Sequence, residues 1–124
     1  MRNHKNLRAF ELADQLALLI YANTKNFPKE ELFGMTSQLR RAAVSVPSNI
    51  VEGCARHSLA DYIHFLNIAY GSLCEVEYQL SLAERLGYLS APKPALALAS
   101  ETGKVLNGLI RSLRSQLDLS LIHI

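Results

Sequence analysis

The sequence predicts an all-α protein, an antiparallel up-down-up-down four-helix bundle. Three observations predict it. Apolar residues recur at spacings of three and four through four separate stretches. Ala and Leu dominate, while alternating β-branched runs of the strand type are lacking. The connections between stretches are short, which makes neighbouring helices antiparallel. A chain of 124 residues, 49% hydrophobic and 19% charged, suits one domain with one core and excludes a disordered chain.

The first helix is predicted from Leu7 to Asn26. Phe10, Ala13, Ala17, Ile20, Thr24 and Phe27 form its stripe, which Leu12, Leu16 and Leu19 widen into a bundle-type face. Phe27-Pro28 ends it. The second helix falls within Glu30–His57, on Leu32, Met35, Leu39, Ala42, Val46 and Ile50, with a break near Gly34. Pro47 removes the hydrogen bond to the Ala43 carbonyl and restricts Val46, so a kink is expected, with Ser45, Ser48 or Asn49 satisfying freed backbone groups.

The third helix is the clearest. Ser58 caps it, with Asp61 three residues on. Tyr62, Leu66, Ala69, Leu73, Val76, Leu80, Ala83 and Gly87 keep a strict heptad seam. Gly71, beside the seam, is expected to permit close helix approach, and Gly87 to stop the helix. The fourth helix begins after Ser90-Ala91-Pro92. Its stripe is Leu96, Ala99, Gly103, Leu106, Ile110, Leu113 and Leu117. The bundle domain is read as residues 1–118. The last six residues, 119–124, break the pattern and read as a non-native tail outside it.

Thirteen Lys and Arg face eleven Asp and Glu, a net charge of +2 that by itself implies no nucleic-acid binding. The distribution says more. Arg40, Arg41, Lys104, Arg111 and Arg114, with Arg56, are candidate nucleic-acid contacts, expected to gather on one basic surface that oligomer symmetry multiplies. The alternative is an ordinary solvated helix surface. HTH, RRM and zinc-finger patterns for sequence-specific readout are lacking. The start of the chain has no apolar signal core and no stretch is apolar enough to span a membrane, so a cytoplasmic protein without membrane contact is expected.

A second set is polar and mid-helix. Arg41, Ser45, Asn49, Glu52 and Arg56 share one face of the second helix, and Ser72 and Glu75 share one of the third. Arg41 with Glu75 and Asn49 with Ser72 are the expected cross-helix pairs. Such a network fixes helix register or a subunit interface; a ligand or nucleic-acid role is the alternative. Catalysis lacks support, because no base stands beside a nucleophile and no GxSxG, SxxK or phosphate-binding glycine loop is present. His57, Asp61 and His64, with Cys54 nearby, could share a helical face. One helix rarely completes a metal site, so surface or capping roles are expected and no metal or cofactor is predicted. Cys54 and Cys74 form no metal pattern and are read as reduced core or near-core residues.

The run from Phe27 to Gly53, FPKEELFGMTSQLRRAAVSVPSNIVEG, is distinctive. With Arg56, Ser58, Tyr62, Phe65-Leu66, Ile68-Ala69-Tyr70-Gly71-Ser72-Leu73, Glu75 and Leu86-Gly87-Tyr88-Leu89, it resembles the 23S rRNA-intervening sequence proteins. The resemblance covers about residues 7 to 117 and extends to polar positions. It implies an antiparallel four-helix bundle that assembles as a homopentamer. A neighbouring branch is similar to the accessory variability protein of diversity-generating retroelements, which engages nucleic acid and a reverse transcriptase. The resemblance identifies a fold better than an activity; with the residues read above, the expected function is a non-enzymatic, self-assembling protein that binds RNA or DNA through basic surfaces, and an accessory subunit of a nucleic-acid enzyme such as a retroelement reverse transcriptase is the alternative.

Overall fold

Each helix forms where its apolar stripe finds a partner to cover it. In the computed structural model, which describes residues 2–122, Arg8–Thr24 form α1, Met35–Cys54 α2, Leu59–Arg85 α3 and Lys93–Ile122 α4. Short 3-10 turns over His4–Asn6 and Lys29–Glu31 precede α1 and α2. α1 packs on α2 and α4, and α3 packs on the same two helices. α2 and α4 are therefore diagonal across the bundle. This is the expected all-α four-helix bundle, with no strand among the described residues. No helix among them is long and apolar enough to cross a membrane.

The predicted seam of α3 is buried from Tyr62 to Ala83. It shares one core with Leu39, Ala43, Val46 and Ile50 of α2, Ala13, Leu16 and Ile20 of α1, and Ala99, Leu106 and Ile110 of α4. α4 differs from its predicted stripe in its first half. Ala95 and Thr102 are buried, while Leu96 and Gly103 are only half-buried. Thr102 tolerates this because its hydroxyl donates to the Leu98 carbonyl at 2.7 Å, which leaves its methyl for the core. Leu32 drops out of the α2 stripe because that helix starts only at Met35, after the break at Gly34.

Caps set the ends. Ser58 Oγ accepts the Asp61 N–H at 3.0 Å to start α3. Gly87, at φ +81°, ends it: the Tyr88 N–H reaches the Ala83 carbonyl and the Gly87 N–H the Glu84 carbonyl, each at 2.9 Å. That pair of bonds is a Schellman motif, which satisfies carbonyls the helix leaves open. α2 continues through Pro47, whose ring is buried. Beside it, Asn49 Nδ2 donates to the Ser45 carbonyl at 2.8 Å.

Close approach occurs at a different glycine from the one expected. A Cβ on Gly71 would meet nothing within 4 Å, because Gly71 faces solvent. A Cβ on Gly53 would lie 3.1 Å from Phe65 Cβ and 3.2 Å from the Tyr62 carbonyl oxygen. Gly53 is thus a point of close approach between α2 and α3.

Residues 119–122 continue α4, with Leu119, Leu121 and Ile122 exposed. His123 and Ile124, also assigned to the predicted tail, lie outside the described residues.

Candidate nucleic-acid interface

The chain reverses at Phe27-Pro28 and brings the last turns of α1 beside the first turns of α2. Glu31 organises this turn. Its Oε1 accepts the Met35 N–H at 3.1 Å, and its Oε2 accepts from Tyr88 Oη at 2.8 Å. The Met35 bond, followed by the Tyr88 bond, holds the Glu31 carboxyl below the usual carboxylate range. The bond to Glu31 correspondingly pushes the Tyr88 phenol up. Tyr88 also packs against Phe27, the rings tilted at 54° with centres 5.7 Å apart. With the turn held this way, Leu32 is left half in solvent and Phe33 is 92% exposed.

Two adjoining hollows open here. One, of about 390 Å³, is lined by Tyr21, Leu32, Phe33, Thr36, Ser37, Arg40 and Arg41. The other, of about 340 Å³, shares Leu32, Thr36 and Arg40 and adds Thr24, Lys25, Phe27, Pro28 and Lys29. Four cations line the pair, and no carboxylate does. Glu30 stands exposed on the neighbouring turn, and Glu31 is engaged by Met35 and Tyr88. Arg40 is held in place: its Nε donates to Thr24 Oγ1 at 2.8 Å and its guanidinium lies 4.7 Å from the centre of the Tyr21 ring. Thr24 Oγ1 in turn donates to the Ile20 carbonyl at 2.8 Å. Arg40 thus presents its terminal nitrogens from a fixed position.

Arg41 also borders a polar cleft of about 380 Å³ between α2 and α3, with Gln38, Ser45, Ser72, Glu75 and Gln79. Here the predicted network is smaller than expected. Ser45 and Ser72 share a 2.7 Å hydrogen bond, and Asn49 Nδ2 donates to Ser45 Oγ at 3.0 Å. The link from Asn49 to Ser72 therefore runs through Ser45. Arg41 and Glu75 line the same cleft but form no ion pair among the described residues. Both are exposed, where pairing two long side chains gains little. Glu52 belongs to a separate pair with Arg56. The Gln79 Oε1 is buried at the cleft without a hydrogen-bond partner among the described residues.

The remaining candidate cations lie elsewhere. Arg56 bonds Glu52 and lies over the Phe65 ring at 4.6 Å. Its carbonyl accepts from Arg2 at 2.8 Å, and Arg2 covers the Tyr62 ring at 4.2 Å. Arg114 donates to Asn67 Oδ1 at 3.3 Å, and Lys104 and Arg111 are exposed on α4. Because α2 and α4 are diagonal, Arg40 and Arg41 do not share a surface with Lys104, Arg111 and Arg114 in one subunit. The six cations expected on one basic surface thus fall into three groups, Arg40 with Arg41, Arg56 beside Glu52, and the three on α4.

No group of three metal-ligating side chains occurs among the described residues, so His57, Asp61 and His64 do not converge. Cys54 is buried 4.0 Å from Tyr62 Oη. Burial pushes its thiol up, and burial, with Cys54 nearby, pushes the Tyr62 phenol up to about 12. Cys74 is exposed rather than near the core, on the outer side of the α3 seam.

Sequence reasoning found Arg40 and Arg41 but missed Lys25, Lys29, Tyr21 and Phe33. A usable signal was present. Phe33 is an aromatic residue outside every heptad stripe, in a turn flanked by lysines and the Arg40-Arg41 pair.

These features define a four-helix-bundle protein with shallow hollows on its surface, two of which gather cations at the α1–α2 turn. Residues 5–108 match the family described as 23S rRNA-intervening sequence protein, and the chain belongs to that family. A solved structure from Bacteroides thetaiotaomicron VPI-5482, described as a protein with unknown function from the S23 ribosomal protein family, is similar. It superposes with a TM-score of 0.77 at 29% identity, covering 83% of this chain and 95% of that one. No curated protein matches the chain.

Proposed function

We propose that this protein is a non-enzymatic, self-assembling bundle that binds RNA or DNA through basic surfaces, chiefly the α1–α2 turn. One observation carries the reading: Lys25, Lys29, Arg40 and Arg41 line two joined hollows that no carboxylate lines. Cations in a hollow that no carboxylate lines gain by neutralising phosphates and releasing condensed counterions. Arg56, Lys104, Arg111 and Arg114 are secondary contacts. A subunit of charge +2 suffices, because symmetry repeats each patch around an oligomer.

Self-assembly is supported by apolar surface on the outside of the bundle. Val44 and Val51, one heptad apart on α2, are 39% and 36% exposed, and Leu18 on α1 is 68% exposed. Five copies, the number the family resemblance implies, is the number to test. A binding role rather than catalysis is supported at the polar cleft. The Ser45 and Ser72 hydroxyls bond to each other, and Ser45 Oγ also accepts from Asn49 Nδ2 rather than meeting a base.

Fluorescence anisotropy with a mixed-sequence RNA, from about 50 to 200 mM salt, tests the reading. The expected result is affinity that falls steeply with salt. Arg41→Ala and Lys29→Ala should each reduce the slope of log affinity against log salt by about 0.7–0.9. No binding at the lowest salt, or a slope indifferent to both substitutions, would refute it.

A further inference from the structure

The α1–α2 hollow offers more than charge. Phe33 is 92% exposed and Tyr21 44% exposed, and both line the hollow that holds Arg40 and Arg41. Phe33 lies in the short turn between Glu31 and Met35, which the bond from the Met35 N–H to the Glu31 carboxylate spans. Tyr21 already carries the Arg40 guanidinium over its ring. Thr36, only 4% exposed, lines both hollows, and its hydroxyl makes no hydrogen bond to another described residue. Ser37 stands beside it in the first hollow.

These parts suit one ligand class. Apolar ring faces gain when covered, and every nucleobase has a flat face that stacks on an aromatic side chain. A duplex hides those faces in its own stack, whereas an unpaired strand presents them. Arg40, which is held in place, and the exposed Lys25, Lys29 and Arg41 meet the phosphates, and the hydroxyls of Thr36 and Ser37 can pair with a ribose 2′-hydroxyl. A protein partner would be drawn to the apolar ring but would need its own acidic groups to match four cations. A polynucleotide supplies stacking faces and regularly spaced negative charge together.

We propose that the α1–α2 hollow binds unpaired nucleotides of single-stranded RNA, with a base stacked on Phe33 and phosphates held by Lys25, Lys29, Arg40 and Arg41. This rests on the nucleic-acid reading above and narrows it from charge to strandedness.

The test is anisotropy of a labelled uridine-rich RNA of about twelve nucleotides, alone and annealed to its complement, on the full chain. Wild type is expected to bind the single strand more tightly than the duplex. Phe33→Ala should weaken single-strand binding roughly 5- to 100-fold while leaving duplex affinity unchanged. Phe33→Tyr should restore it. Phe33 is almost wholly exposed, so neither substitution threatens the fold. If Phe33→Ala leaves the single-strand affinity unchanged, or wild type binds duplex equally well, this inference falls while the electrostatic reading stands. If wild type binds neither polymer, both fall. If Phe33→Ala alters the light-scattering mass but not the affinity, Phe33 is a contact between copies and the inference is overturned.

Discussion

Single residues here act through what holds them. Glu31 starts α2 by accepting the Met35 amide, ties Tyr88 to the turn and thereby leaves Phe33 in solvent. Both bonds favour the ionised carboxylate, so its folded pKa lies below its ordinary value of 4.5. A group depressed on folding contributes stability above its unfolded pKa and loses it as pH falls through the folded value. The difference in urea midpoint between wild type and Glu31→Gln should therefore be present at neutral pH. It should shrink once the pH falls below 4.5. A difference constant down to about pH 3 would mean that the carboxylate is not what starts the helix. Glu75 makes the contrast. It is exposed and unpaired among the described residues, so it is not the buried Arg41 partner that its spacing suggested.

At the scale of elements, two glycines in long helices have opposite roles. Gly71 faces open space on α3, where glycine costs helix stability without serving any contact. Gly71→Ala should raise stability by about 0.5–1 kcal/mol in thermal or urea unfolding. Gly53 lies against Phe65 and the Tyr62 backbone, so an added methyl must push α2 from α3. Gly53→Ala should lower stability by about 1–3 kcal/mol despite alanine's better helix propensity. Equal effects at the two positions would contradict the packing described. The same pair shows where sequence runs out. The α3 seam was legible because its heptad is unbroken from Tyr62 to Ala83, and its caps because Ser58 and Gly87 act locally. Which glycine touches a neighbour depends on the rotation of two helices about their axes, and Gly71 and Gly53 look alike along the chain. The α1–α2 hollow was half legible for a similar reason. Arg40 and Arg41 stand out as charge, but Tyr21, Lys25, Lys29 and Phe33 join them only once the chain has turned. Thr102 was missed because a residue that bonds its own helix can sit in a core its polarity argues against.

For the whole molecule, the diagonal placement of α2 and α4 decides what one subunit can hold. The basic residues of α4 sit on a helix that does not pack on α2, so within one chain they stand apart from Arg40 and Arg41. In the self-assembled bundle proposed above, symmetry would set the two groups of cations on neighbouring copies. Val44 and Val51 lie on the outer face of α2. Replacing both by Glu should reduce the light-scattering mass to that of one subunit, with the helical circular dichroism unchanged. A mass that stays at the wild-type value would remove this face from the interface. The link from Tyr88 to Glu31 has a further consequence for how the molecule opens. It joins the reversal after α3 to the reversal before α2, although the two residues are 57 positions apart. Neither reversal can loosen without releasing the other's anchor. The end of the bundle that carries Phe33 therefore behaves as one cooperative unit, and slow exchange of its amides should vanish together rather than loop by loop.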